Sequence, residues 1–126
     1  MNILQKQPPI KACVRSVSSA WFGHTVRATY NQLVLILGDQ NVEGDEPITH
    51  AEWNVVSPRR NFGCVYNWKT GFDPRSNPNT PVDWHIGSDS PEVAEVVALN
   101  LKNEVERVRR LSHDILEQLS SDWFEG

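Results

Sequence analysis

The sequence predicts an α+β fold: a small antiparallel sheet with one short helix and one long or two C-terminal helices. Three observations predict it. Apolar residues alternate with period two in several short stretches. A capped apolar segment lies between two of them. The last third carries apolar residues at steps of three, four and seven. At 126 residues the chain reads as a single domain, 1–126. Residues 1–9 form an N-terminal tail, 10–87 hold the sheet and the short helix, and 90–120 form a helical part.

The first strand is expected at 10–17, where Ile10, Ala12 and Val14 alternate with Lys11, Cys13 and Arg15. Ser18 to His24 reads as a turn anchored by Trp21 and Phe22. A helix follows at 29–37. Thr29 and Gln32 have the spacing of a capping box, and Gly38 suits the left-handed residue that closes a helix. The β-branched content of Leu33 to Leu37 also allows a strand, and the caps favour the helix. Residues 39–47 form an acidic loop.

Strands at 49–56 and 62–68 are joined by Ser57-Pro58-Arg59-Arg60-Asn61, a five-residue link of hairpin type. Symmetric closure sets Val55 opposite Gly63, Trp53 opposite Val65 and Glu52 opposite Tyr66. Trp53, Val55 and Val65 then share one face. Glu52, Asn54, Val56, Phe62, Cys64, Tyr66 and Trp68 share the other, which is aromatic for a solvated face.

Residues 69–82 form a long loop rich in Pro and Asn, and 82–87 a last strand. Ser90, Pro91 and Glu92 mark a helix start as N-cap, first-turn proline and first-turn acid. Val93, Val97, Leu101, Val105, Val108, Ile115 and Leu119 form its apolar stripe. A continuous helix from Pro91 to Leu119 runs about 43 Å, while a domain this size has a radius of gyration of roughly 14 Å. Either the helix breaks near Ser112-His113, or its overhang packs on a partner. The partner expected is a second copy, giving a homodimer or larger through Val97, Leu101, Val105, Val108 and Ile115.

Composition narrows the function. Lys and Arg number 12 against 16 Asp and Glu, a net charge of −4. That balance argues against binding double-stranded nucleic acid by charge alone, and it is too mild for a DNA mimic. No stretch approaches the ~20 apolar residues of a membrane span, and Met1 to Pro9 lack the apolar run of a signal peptide. A cytoplasmic protein is expected. Cys13 and Cys64 have no CxxC spacing, so free thiols are expected, with a single bridge between them left open.

Catalysis has little support. No Ser lies in a nucleophile-elbow pattern. A Cys–His pair would need Cys64 with His50 or His85, and Cys64 on a strand reads better as a small core residue. His24, His50, His85 and His113 are scattered without metal-ligand spacing, and the seven glycines form no phosphate loop. No catalytic residue, metal or cofactor is expected.

Aromatic and basic residues are more informative. Trp53, Trp68 and Trp84 lie on three different strands. Core packing explains any one of them, yet all three crowd a small core. Tyr66, Trp68 and His85, near Glu52 and Asn54, would line a wet pocket suited to a nucleobase or peptide. Arg107 and Arg110 are neighbours on the long helix. Ion pairs with Glu104 and Glu106 explain them best, and a phosphate clamp with Arg59 and Arg60 is the alternative.

At Glu52-Trp53, Val65-Tyr66-Asn67-Trp68-Lys69 and Trp84-His85-Ile86-Gly87, the chain resembles a group of small domains encoded by bacteriophages and viruses. Their pattern is a Tyr-x-x-Leu-Val helix ending in Gly, a Glu-Trp strand, a Tyr-Asp/Asn-Trp/Tyr-Lys strand end and a Trp-His-Ile-Gly strand before a helix. Tyr30, Leu33, Val34 and Gly38 fit its first part. The resemblance covers roughly residues 29–98. The chain departs from it in the longer loop at 71–82 and the extended C-terminal helix.

The resemblance implies a small accessory or counter-defence protein. Some counter-defence proteins of similar architecture, those that counter Thoeris defence among them, act as sponges for cyclic nucleotide immune signals. By that analogy the expected function is non-catalytic sequestration of a nucleotide signal in the host cell cytoplasm. Glu52, Tyr66, Trp68, Trp84 and His85 would stack and hydrogen-bond, and Arg59, Arg107 and Arg110 would hold phosphate. The competing expectation is an inhibitor of a host protein, acting through the C-terminal helix and the 71–82 loop.

Overall fold

The computed structural model describes residues 10–15, 20–41, 51–67 and 72–115, together with the backbone of the last helix to Glu125. In chain order the elements are β1 (Lys11–Ala12), β2 (Trp21–Ala28), α1 (Tyr30–Leu37), β3 (Glu52–Ser57), β4 (Asn61–Tyr66), β5 (Val82–Gly87) and α2 (Pro91–Glu125). The strands form one sheet in the order β1-β3-β4-β5-β2, each pair antiparallel. The fold is α+β, with a five-stranded sheet, one short helix and one long one.

The β3–β4 hairpin has the register that a symmetric link dictates: Glu52 opposite Tyr66, Trp53 opposite Val65 and Val55 opposite Gly63. Its turn, Pro58–Arg60, is a short irregular turn that leaves helical geometry at Arg59, φ 65° and ψ 29°. α1 is closed at both ends by its own sequence. The Gln32 amide donates to Thr29 Oγ1 at 3.0 Å, and the Thr29 amide donates to Gln32 Oε1 at 2.9 Å. Gly38, at φ 80°, takes the positive angle that costs other residues a steric clash, and its N–H donates to the Val34 carbonyl. At the start of α2 the Val93 amide donates to Ser90 Oγ at 3.2 Å.

Both helices pack on one face of the sheet. Trp53, Val55, Val65, Trp84 and Ile86 meet Leu33 and Leu37 of α1 and Val97, Leu101 and Val105 of α2 in the core. Trp53 and Trp84 meet edge to face, centroids 5.6 Å apart. Each buried indole N–H has a carbonyl: Trp53 donates to Gly38 at 2.9 Å and Trp84 to Ala28 at 3.0 Å. Gly63 is what lets α2 approach. A Cβ there would lie 2.9 Å from the Gly87 carbonyl oxygen and 3.2 Å from Val97.

Two expectations need correction, and the alternative left open for the last helix is decided. The first strand is short: among the described residues 10–15, only Lys11–Ala12 pair as strand, and the chain bends at Val14 and Arg15. Of the turn expected at Ser18–His24, Trp21 to His24 are instead the start of β2, whose register shifts between Trp21 and Thr25 and so breaks the alternation. The last helix does not break at Ser112-His113. It runs unbroken for 35 residues, about 52 Å.

The expected dimer stripe also has a different fate. Val97, Leu101, Val105 and Val108 are buried within the chain itself, and of that set only Ile115 is exposed. From Arg109 to Ile115 every residue of α2 is exposed. The described part of the long loop, 72–81, is tied down rather than free. The Asn31 amide donates to the Pro78 carbonyl, the Asn31 side chain bonds Asn79, and Pro74 is fully buried. Trp68, His50 and Gly71 lie outside the described residues, as do most of the expected acidic loop and the end of the expected first strand.

Candidate functional site

The face opposite the helices carries the polar and aromatic residues. Strand register builds a cross-strand row on it: Glu52 on β3, Tyr66 on β4, His85 on β5 and Thr25 on β2. The Tyr66 and His85 rings stack, with centroids 5.4 Å apart and an interplanar angle of 18°. Trp21 meets His85 edge-on at 4.6 Å, and its own N–H donates to the His24 carbonyl. Tyr66 is only 4% exposed, whereas Trp21 is 49% exposed and Phe22 40%. Tyr66 therefore stacks beside the His85 ring out of solvent, while Trp21 offers a ring to solvent.

Burial sets the protonation states. It pushes the Cys64 thiol up from 9.0 to about 12, with the Glu52 carboxylate adding to the rise and a hydrogen bond with the Gly87 backbone opposing it. Burial also raises the Tyr66 phenol, helped by Cys64 and Glu52. It lowers His85, partly offset by Asp83, so the imidazole is neutral at pH 7. A thiol held protonated is the reverse of an activated nucleophile. The Cys64–His85 pairing weighed as a catalytic dyad thus lacks its thiolate. Both cysteines are free thiols. Among the described residues no three His, Cys, Asp or Glu side chains converge to hold a metal ion.

The structure divides the expected site residues among four places, with Trp68 outside the described residues. Glu52, Tyr66 and His85 come together. Trp84 does not join them: it is fully buried on the opposite face, because neighbours along a strand point to opposite sides. Arg107 and Arg110 do lie together, beside an open groove of about 410 Å³ that also touches Asn103, Glu106, Leu111 and Asp114. That groove is on α2, away from the aromatic row. Its cations are already matched: Arg107 bonds Glu104 at 2.9 Å, and Glu106 takes both Arg109 and Arg110. Hydrogen bonds from those two arginines pull the Glu106 carboxyl down to about 2.

Arg59 is at the β3–β4 turn, at the other end of the molecule. The helix leaves that end with Val97 against Gly63, and Arg107 lies ten residues, about 15 Å, further along. The clamp of turn and helix arginines is therefore not assembled. Sequence reasoning missed Trp21, although its pairing with Gly87 through a bulged strand places it beside His85.

Comparison with protein-family models, with curated proteins and with solved structures finds no match in any of the three. No helix among the described residues is long and apolar enough to cross a membrane.

Proposed function

We propose that this protein is a phage-type, non-catalytic binding protein that sequesters a small nucleotide, as a counter-defence factor in the host cytoplasm. The observation that carries this reading is the stack of Tyr66 and His85 with half-exposed Trp21 at its edge. A flat π-face suits a base of any sequence. The neutral imidazole supplies a donor and an acceptor, and the Glu52 carboxylate, across Tyr66 from it, supplies acceptors, for the base edge.

The test is mass spectrometry of the purified protein before and after denaturation, followed by calorimetry across cyclic and linear nucleotides. A nucleotide released intact, whose rebinding is lost in Trp21→Ala and Tyr66→Ala, is the expected result. No nucleotide carried and none bound across the panel overturns it.

A second reading has its own support. The exposed end of α2 presents Leu111 and Ile115 at 47% and 57% exposure, a surface fit for a host protein or a second copy. An inhibitor of this kind ignores nucleotides and loses its target on Ile115→Asp.

A further inference from the structure

The eight arginines divide sharply. Five are paired with carboxylates: Arg27 with Asp83, Arg75 with Asp73, Arg107 with Glu104, and Arg109 and Arg110 with Glu106. Among the described residues, Arg15, Arg59 and Arg60 have no carboxylate partner. In a chain with 16 acidic residues against 12 basic ones, three unmatched guanidinium groups in one place are unexpected from composition. They are in one place because the fold puts them there. Arg59 and Arg60 form the β3–β4 turn. Arg15 reaches the same spot from the end of β1. Its guanidinium carbon sits 4.3 Å from the Phe62 ring centroid, and that of Arg60 sits 5.4 Å from it. One phenyl ring thus holds two guanidinium groups, leaving their N–H donors to solvent. Both turn arginines also hold positive φ, 65° and 60°, a conformation that costs a side-chain-bearing residue energy.

Phe62 is on the same face as the aromatic row. It lies two residues before Cys64 and four before Tyr66 along β4, so about 13 Å separates it from the Tyr66–His85 stack. From this placement the geometry points to Arg15 and Arg60, mounted on Phe62 with Arg59 adjacent, as the phosphate subsite of the sheet face. The ligand class is a phosphorylated small molecule whose aromatic part reaches Trp21 and His85, with its phosphate or diphosphate gripped at the turn. A planar fork matches phosphate oxygens in pairs, and two forks on one ring grip a diphosphate better than a single phosphate. This inference rests on the proposed binding function of the face, and it moves the phosphate contacts from the helix to the turn.

The test uses inorganic pyrophosphate and a nucleoside diphosphate panel as probes, with the full chain, in calorimetry at two salt concentrations. Arg15→Gln and Arg60→Gln are each expected to weaken both probes about tenfold or more, and Arg60→Lys to weaken them less. Arg107→Gln and Arg110→Gln are expected to leave both unchanged, and higher salt to weaken binding. Nucleotides bound equally well by Arg15→Gln and Arg60→Gln overturn the subsite but leave sequestration standing. Pyrophosphate bound through Arg15 and Arg60, with nucleosides adding nothing and Trp21→Ala without effect, supports the subsite and removes the nucleotide reading. No binding of either probe at millimolar concentration overturns both.

Discussion

The two faces of the sheet use the same four strands and differ in nearly everything else. On the helix side Trp53, Val55, Val65, Trp84 and Ile86 are sealed from solvent against α1 and α2. On the other side Glu52, Phe62, Cys64, Tyr66, His85 and Trp21 mix charge, ring and thiol. Each strand contributes to both, residue by residue: Trp84 to the core and His85 to the row, Val65 to the core and Tyr66 to the row. Adjacent residues thus answer to different pressures. One set is selected by volume and apolar area, the other by what its polar atoms and rings can reach.

The comparison breaks hardest at Trp84. Truncation to Ala removes a fully buried indole that packs on Trp53 and bonds Ala28. It is expected to cost about 3–5 kcal/mol in chemical denaturation. His85→Ala, one residue on, removes a partly exposed ring and is expected to cost much less. Equal losses at the two positions would mean that the second face is also a packed core.

The second face should show itself through pH. The Cys64 thiol stands at about 12 in the folded protein against 9.0 in its absence. Above pH 9 the unfolded chain loses that proton while the folded chain keeps it, so stability falls as pH rises from 9 toward 12. The full effect is on the order of 4 kcal/mol, and Cys64→Ala should flatten the decline. His85 acts at the other limb. Its folded value lies below 6.5, so its contribution is complete above pH 6.5 and is lost as pH falls below it. A denaturation midpoint flat from pH 5 to 6.5 would count against a buried neutral imidazole. Tyr66 titrates in the same alkaline direction as Cys64, which is why the comparison with the Cys64→Ala variant matters.

Gly63 joins the two halves of the argument, because it sits on the core face of a strand whose next residue, Cys64, faces the other way. Gly63→Ala pushes a methyl to 2.9 Å from the Gly87 carbonyl oxygen and against Val97. The β5 backbone at Gly87 and the Val97 side chain must both give way, at about 1–3 kcal/mol. A neutral outcome by thermal melting would place the Gly87 carbonyl oxygen and Val97 further from Gly63 than described.

How much of this was legible in the sequence depends on the range of the interaction. The hairpin register follows from five link residues between two alternating runs. The ends of α1 follow from Thr29, Gln32 and Gly38, all within ten residues. β2 was missed because the register shift between Trp21 and Thr25 erased its alternation. Grouping Trp84 with His85 ignored period two, an error that the strand assignment itself could have caught. The meeting of Arg15 with Phe62 joins positions 47 residues apart, and no local pattern announces it. The continuous last helix was open between two outcomes because nothing at Ser112-His113 either breaks or forbids it.

The smallest effect is expected where α2 leaves the domain. Leu111 and Ile115 are exposed at 47% and 57%, so within one chain they have little to lose. Leu111→Ala and Ile115→Ala should each change folding stability by about 0.5 kcal/mol or less. The measurement should be repeated across a hundredfold range of protein concentration. A single chain gives the same small change throughout. A loss that grows with concentration means instead that a second copy covers this end, because association with the folded form stabilises by mass action. Val97, Leu101, Val105 and Val108 cannot supply that interface while they fill their own core. A dimer built on α2 has two exposed apolar stretches to use, Val96 with Leu99 and the segment beyond Val108, and these two substitutions are placed to detect the second.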